Sequence, residues 1–461
     1  MPVDGAPVAL YTITSLMSRI LPPSLLLTFL LLPGLGHAHI GAGAGDTDVL
    51  PRSGSPNVTL LEASWGLVVS DDGESFDWIC HEVLSNGVAE LPEFEVSSEG
   101  MFLGVTGLLT GVLEPGESLY YSPDDGCTWS SVTGTTGRLI QDASFDPESP
   151  MTAIAVTADG YVDGEPLDNT IFRSTDGGRS FDALSDWDGL VFREVRFGRG
   201  GVVYALGVRL SPERAVLLRS DNAGEDWVEY PIPGESLESP SFGVISAIDP
   251  GDSQEVWLTF DGNQIDGVVR TRDGGATFEV MSPPVSAVLD VTLLEGGGGW
   301  MIGDARALWS SEDRIDWESH PDAPQVWGAA FIDGELRLAV NTLAHPQAVV
   351  RTVDGESFDT VLETLDLRGA KQCPAGTSVA TTCEPLFDTL YRTLELMRPR
   401  PSGDDDDSSS PEEPVACEGC SALGDQGASG SLILLLALAY LCGRYSAQRV
   451  SGSPETGATI R

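Results

Sequence analysis

Apolar residues along the middle of the chain come in short runs, each closed by a polar turn. Seven of them are Gly66-Leu67-Val68-Val69, Ser118-Leu119-Tyr120-Tyr121, Thr170-Ile171-Phe172, Val216-Leu217-Leu218, Gly267-Val268-Val269, Ala307-Leu308-Trp309 and Ala348-Val349-Val350. Others lie upstream of these, such as Thr152-Ala153-Ile154-Ala155-Val156, Gly201-Val202-Val203-Tyr204-Ala205-Leu206 and Val256-Trp257-Leu258-Thr259-Phe260. Runs this short, bounded by Gly, Pro, Asp and Asn, predict β-strands joined by tight turns. Asp146-Pro147 and Asp249-Pro250 mark two of those turns.

One pattern follows each of the seven runs: Ser/Thr-x-Asp-x-Gly-x-Ser/Thr-Trp/Phe. SPDDGCTW (122–129), STDGGRSF (174–181) and TRDGGATF (271–278) are full copies, and SDNAGEDW (220–227) is a close variant. SDDGESF (70–76) and TVDGESF (352–358) are one residue shorter, and SSEDRIDW (310–317) is degenerate. The copies start at 70, 122, 174, 220, 271, 310 and 352, giving spacings of 52, 52, 46, 51, 39 and 42. A unit of that length holds several strands but cannot cover both faces of its own sheet. Seven units arranged radially can. The predicted fold is all-β, a seven-bladed β-propeller over residues 39–366, with 328/7 or about 47 residues per blade.

The pattern resembles the Asp box, or BNR repeat, of sialidases, sortilin-type domains and photosystem II assembly factor propellers. The resemblance implies that it forms the turn between the third and fourth strands of a blade, away from the ligand face. The chemistry agrees. An Asp side chain caps backbone N–H groups a few residues on, Gly supplies a positive φ, and the terminal aromatic packs between blades. Asp72, Asp124, Asp176, Asn222, Asp273 and Asp354 therefore read as scaffold rather than as catalytic acids. The chain as a whole resembles a group of myxobacterial secreted Asp-box propellers. That likeness rests on His39, Trp78-Ile79-Cys80, Gly126-Cys127-Thr128-Trp129 and the segment Cys373-Pro374-Ala375-Gly376-Thr377…Cys383.

Charge narrows the list of partners. The chain has 25 basic and 70 acidic residues, a net charge of −45. Such a surface repels phosphates and argues against nucleic acid. Lys371 is the single lysine. A saline habitat and a GC-rich genome both produce that bias.

The two ends read as addresses. Arg19, the apolar stretch Ile20–Leu35 and Gly36-His37-Ala38 form a secretory signal over residues 1–38, with Met17 as the better start and His39 as the mature N-terminus. After the propeller come an extension (367–397) and an acidic Pro/Ser spacer (398–416). A region with Cys417, Cys420, a single apolar segment and Arg444 follows (417–450), then a tail (451–461). Spacer, cysteine pair, short apolar segment and basic flank resemble the myxobacterial C-terminal sorting signal, MYXO-CTERM. That resemblance implies cleavage near the cysteines and display at the cell surface or outer membrane, held by the segment or by a modified Cys. The family motif is usually Cys-Gly-Cys, whereas two residues separate the cysteines here. A plain membrane anchor is the alternative.

Cysteines in an exported chain suggest disulfides. Neighbouring blades could join Cys80 to Cys127, and Cys373 and Cys383 could close a short loop. Arg173, Arg219, Arg270 and Arg351 each stand just before an Asp box. They could form a ring that binds carboxylates, or they could pair with acids on neighbouring blades. No P-loop, HExxH or Ser/His/Asp order is present. The early Phe-Arg-Ile-Pro string of sialidases is also missing; the nearest match is Phe192-Arg193-Glu194-Val195. The expectation is an exported, monomeric, non-catalytic binding module without cofactor or metal, taking a protein, peptide or glycan partner. A divergent sialidase-like glycoside hydrolase or lyase, and an assembly factor for another exported protein, are the alternatives.

Overall fold

The computed structural model describes residues 48–397 apart from 52–58, 85–91, 107–117, 159–160, 163–164, 167–168, 234–242, 261–266 and 343. The expected signal peptide and spacer, and Cys417, Cys420, the apolar segment and Arg444, lie outside the described residues. Among those described, the chain forms a seven-bladed β-propeller of antiparallel sheets. Blade 1 is built on Asp48–Pro51, Thr59–Ala63, Gly66–Ser70 and Phe76–Ile79, and blade 2 on Glu93–Val96, Phe102–Val105, Leu119–Ser122 and Ser130–Ser131. Blades 3 to 7 repeat this up-and-down order, starting at Ile140, Leu190, Gly243, Val288 and Val326. The first strand of each blade touches the first strands of both neighbours, closing a ring around a central channel.

The burial pattern explains why the apolar runs do not alternate. Gly66–Ser70, Ala153–Thr157, Val256–Phe260 and Gly299–Gly303 are buried at every position. Each is sandwiched between two neighbouring blades, so both of its faces are core. Outer strands such as Glu279–Met281 and Glu318–His320 are mostly exposed. Each seam has its own apolar cluster. Between blades 3 and 4, for example, Ile154, Val156 and Ile171 meet Leu190, Phe192 and Val195.

The ring is closed by the extension, which works as a clasp. Strand Leu367–Ala370 adds in parallel to the outer strand of blade 1, aligning Leu367 with Phe76 and Ala370 with Trp78. The Lys371 N–H donates to Trp78 O at 2.8 Å, and Arg368 pairs with Asp77 at 2.6 Å. Two helices follow, α1 (Ser378–Thr382) and α2 (Glu384–Met397). From α2, Leu390 and Leu394 enter one core together with Val68 and Ile79 of blade 1, Phe94 and Phe102 of blade 2, and Ala339 and Val349 of blade 7. The clasp therefore joins a core that runs through blades 7, 1 and 2.

The cysteine pairing differs from the expected one. All four cysteines are bonded, but as Cys80–Cys383 and Cys127–Cys373, with Cα separations of 5.3 and 5.6 Å. The expected Cys80–Cys127 and Cys373–Cys383 links do not form because the clasp lies against both blades and offers each blade cysteine a partner of its own. The Val379 N–H donates to Cys127 O, and the Trp129 N–H donates to Ser378 Oγ. So α1 sits against box 2, and each blade cysteine meets a clasp cysteine instead of the other blade's.

Candidate functional site

The box rim comes first, because it orients the molecule. In box 3, the Ser174 hydroxyl donates to Asp176 Oδ1 at 2.8 Å and accepts from the Gly178 N–H at 2.8 Å. Asp176 in turn accepts the Ser180 N–H at 2.9 Å and the Ser180 hydroxyl at 2.6 Å. Asp124 and Asp273 repeat the bond from the N–H four residues on. In box 4, Asn222 Oδ1 accepts the Asp226 N–H at 2.9 Å, so an amide serves equally well. In the short boxes, Asp72 and Asp354 accept the N–H groups two and three residues on. These bonds favour the ionised form. The Thr277 hydroxyl and N–H hold the Asp273 carboxyl below its usual range. The Gly177 N–H donates to Met151 O and the Gly274 N–H to Gln254 O, which places the boxes on the same face as the turns between first and second strands.

The degenerate copy is a short box running from Ser311, and its aspartate is Asp313, which the sequence reading missed. Asp313 Oδ1 accepts the N–H groups of Ile315 and Asp316, both at 2.9 Å. Full boxes carry two successive left-handed residues, such as Gly177 and Gly178 (φ 77° and 89°), whereas short boxes carry one. In box 6 that one is Arg314, at φ 62°. Its side chain is buried, bonded to Asp249 and at 3.1 Å from Glu255, both of blade 5. It also donates to Leu294 O and Gly298 O. An arginine occupies the glycine position because it bolts blade 5 to blade 6.

Each of the four arginines before a box has a carboxylate partner. Arg173 reaches Glu225 (3.3 Å) and Ala223 O of box 4. Arg219 pairs with Asp221 (2.6 Å), and Gln254 accepts from it at 2.7 Å. It lies so close under box 5 that a Cβ on Gly274 would sit 1.6 Å from its guanidinium. Arg270 pairs with Glu279 (2.7 Å) over the Trp257 ring, and Arg351 with Glu335 (3.4 Å). Arg173 and Arg219 thus act as blade-to-blade clamps.

The charged side chains that do converge lie in the channel. In blades 3 to 7 the first strand slips register by one residue, in all but blade 5 near the end remote from the boxes. The residues left between paired positions are Gln141, Arg193, Ser246, Leu289 and Trp327. Such bulges re-aim side chains. An acid follows three of them and reaches the next blade. Asp142 Oδ2 accepts the Val195 N–H (2.8 Å), Glu194 Oε2 the Ile245 N–H (2.5 Å) and Asp290 Oδ2 the Ala329 N–H (3.3 Å). Arg196 of blade 4 crosses to Glu95 of blade 2 at 2.8 Å and also holds Glu194 at 2.7 Å. Burial pushes the Asp142 carboxyl well above its usual range; Arg196 opposes the shift, and Glu194 and Glu93 add to it.

The channel wall is two-sided. Blades 2 to 4 contribute Glu95, Asp142, Glu194 and Arg196, and blade 6 adds Asp290. Blades 5 to 7 expose Val244, Leu289 and Phe331, each at least 40 % accessible. The boxes could not announce this set, because the stretch from channel acid to box start varies with loop length: Asp142 to Ser174, Glu194 to Ser220, Asp290 to Ser311. Among the described residues, no group of three or more His, Cys, Asp or Glu could hold a metal ion, and no helix is long and apolar enough to cross a membrane.

No protein-family model matches the chain, and no curated protein matches it. Several solved structures are similar. One is YCF48 bound to D1 peptide, at 16 % identity, covering 51 % of this chain and 69 % of that one, with a TM-score of 0.35. An ancestral GH74 enzyme is 14 % identical, with 70 % of this chain and 55 % of that one covered and a TM-score of 0.37. A Hadza microbial sialidase is 16 % identical, with 62 % and 71 % covered and a TM-score of 0.38. The chain thus spans little more than half the length of the GH74 enzyme.

Proposed function

We propose that the chain is an exported propeller, displayed at the cell surface, that binds a protein, peptide or glycan partner without transforming it. The observation that carries this reading is how the channel acids are used. Both oxygens of Asp142 accept backbone N–H groups, from Ala143 and Val195, and Glu194 is shared between the Ile245 N–H and Arg196. Acids engaged in holding seams are poorly placed to shuttle protons. Two disulfides fit an oxidising compartment. Attachment through the Cys417–Cys420 region completes the reading. Mass spectrometry of surface-derived protein tests it: a mature C-terminus near those cysteines is expected, and a peptide ending at Arg461 replaces sorting with a permanent anchor.

Catalysis is the second reading, because a buried carboxyl raised beside other carboxylates is also how a general acid is made. Wild-type protein offered a panel of aryl glycosides should give no turnover above blank. Turnover that falls by about a hundredfold in Asp142→Asn, at unchanged melting temperature, would assign Asp142 as an acid catalyst instead. For binding, Leu289→Asp should abolish retention of ligands found on peptide and glycan arrays while the fold persists. Retention unaffected by that change removes the channel as the binding site.

A further inference from the structure

The clasp is bolted twice, and the two bolts differ in their access to solvent. Cys80 and Cys383 are completely buried. They sit in the core with Ile79, Leu84, Val379 and Leu390. At the other bolt Cys127 is 6 % exposed, Cys373 is half-buried, and Pro374, Ala375 and Gly376 beside it are exposed. Thiol–disulfide exchange needs a thiolate to reach one sulfur of the bond, so access at Cys373 suffices for the outer bolt. No comparable approach exists to the inner one while α2 is packed.

We propose that the clasp is a two-stage redox latch. In the first stage a dithiol reductant cuts Cys127–Cys373 in the folded protein. Two electrons and two protons pass to the bridge, giving two thiols, and the reductant is left as a disulfide. The loop before α1 is then released from box 2, while Cys80–Cys383, the closing strand and the packed face of α2 keep the ring shut. In the second stage, α1 and α2 lift from blade 1, the inner bridge meets the same reductant, and the core shared by blades 7, 1 and 2 opens. The outer bolt sets how often the inner one is exposed, because it pins the clasp on the far side of α1.

The test uses oxidised, full-length protein. It is incubated with graded dithiothreitol, quenched with iodoacetamide and mapped by peptide mass spectrometry. Cys127 and Cys373 should be alkylated at least about tenfold faster than Cys80 and Cys383, since only local opening exposes the inner pair. Four thiols appearing together, or Cys80 and Cys383 first, would overturn the proposal. A Cys127→Ser/Cys373→Ser variant checks the coupling without touching the inner bolt. Its Cys80–Cys383 bridge should be reduced several-fold faster than in wild type, and an unchanged rate overturns the two-stage order. The melting temperature of protein reduced only at the outer bolt should stay nearer the oxidised value than the fully reduced one.

Discussion

The box rim and the clasp hold the same ring by opposite means. A box is made seven times, from hydrogen bonds that span at most four residues, as between Asp176 and Ser180. The clasp is made once, from bonds that span 246 and 303 residues. Damage to a box should therefore be small and confined to its blade. Damage to the clasp should be large and felt at the seams of blade 1. Repetition distributes risk, and closure concentrates it.

The largest expected effect comes from the inner bolt. A Cys80→Ala/Cys383→Ala variant should lose on the order of 5 kcal/mol in urea unfolding, because a bridge closing so long a loop most restricts the unfolded chain. A loss under about 1 kcal/mol would put the clasp on a level with a box and end the contrast.

Arg314→Gly is the next sharpest test, since its sign is informative. Were box 6 merely a decayed copy, glycine would relieve the left-handed backbone and stabilise by about 1 kcal/mol. With Asp249 and Glu255 left buried without the guanidinium they share, a loss of about 3 kcal/mol is expected instead. Calorimetry on the variant decides between the two.

Asp176→Ala should cost about 0.5–2 kcal/mol, the usual value of a side-chain cap to backbone N–H groups, and should leave ligand retention in the folded fraction unchanged. Lost retention at an unchanged melting temperature would move the box from scaffold to site.

The smallest effect concerns pH. Asp273 is held below the unfolded carboxylate value near 4. Its contribution is therefore present above that value and is lost as pH falls through the lower, folded one. Asp142 runs the other way: its raised folded value makes its contribution greatest in acid and lost as pH rises. Asp273→Asn should behave like the natural Asn222 box, within about 0.5 kcal/mol of wild type at neutral pH, with a shallower loss of stability in acid. An unchanged acid slope would mean that the box carboxylates do not govern acid unfolding.

Much of the fold was legible because it is written in local pattern. Ser174, Asp176, Gly178 and Ser180 all act within one turn, so their spacing carries their geometry. Box 6 was the exception. Its glycine gave way to Arg314 for a partner, Asp249, that lies 65 residues earlier, and Asp313 went unseen with it. The channel was less legible still. Asp142, Glu194 and Asp290 look ordinary among 70 acids. Their common place depends on a one-residue slip in a strand, which leaves no mark in composition.

The sequence by itself determined the number of blades and the turn chemistry, because strands and Asp boxes depend on neighbours within about a dozen residues and recur at near-constant spacing. The cysteine partners, the Arg314 bolt and the two-sided channel were decided only by tertiary structure. Each depends on which blades meet across a closed ring, and on a C-terminal segment that folds back against blades 1 and 2 and brings a cysteine to each of Cys80 and Cys127.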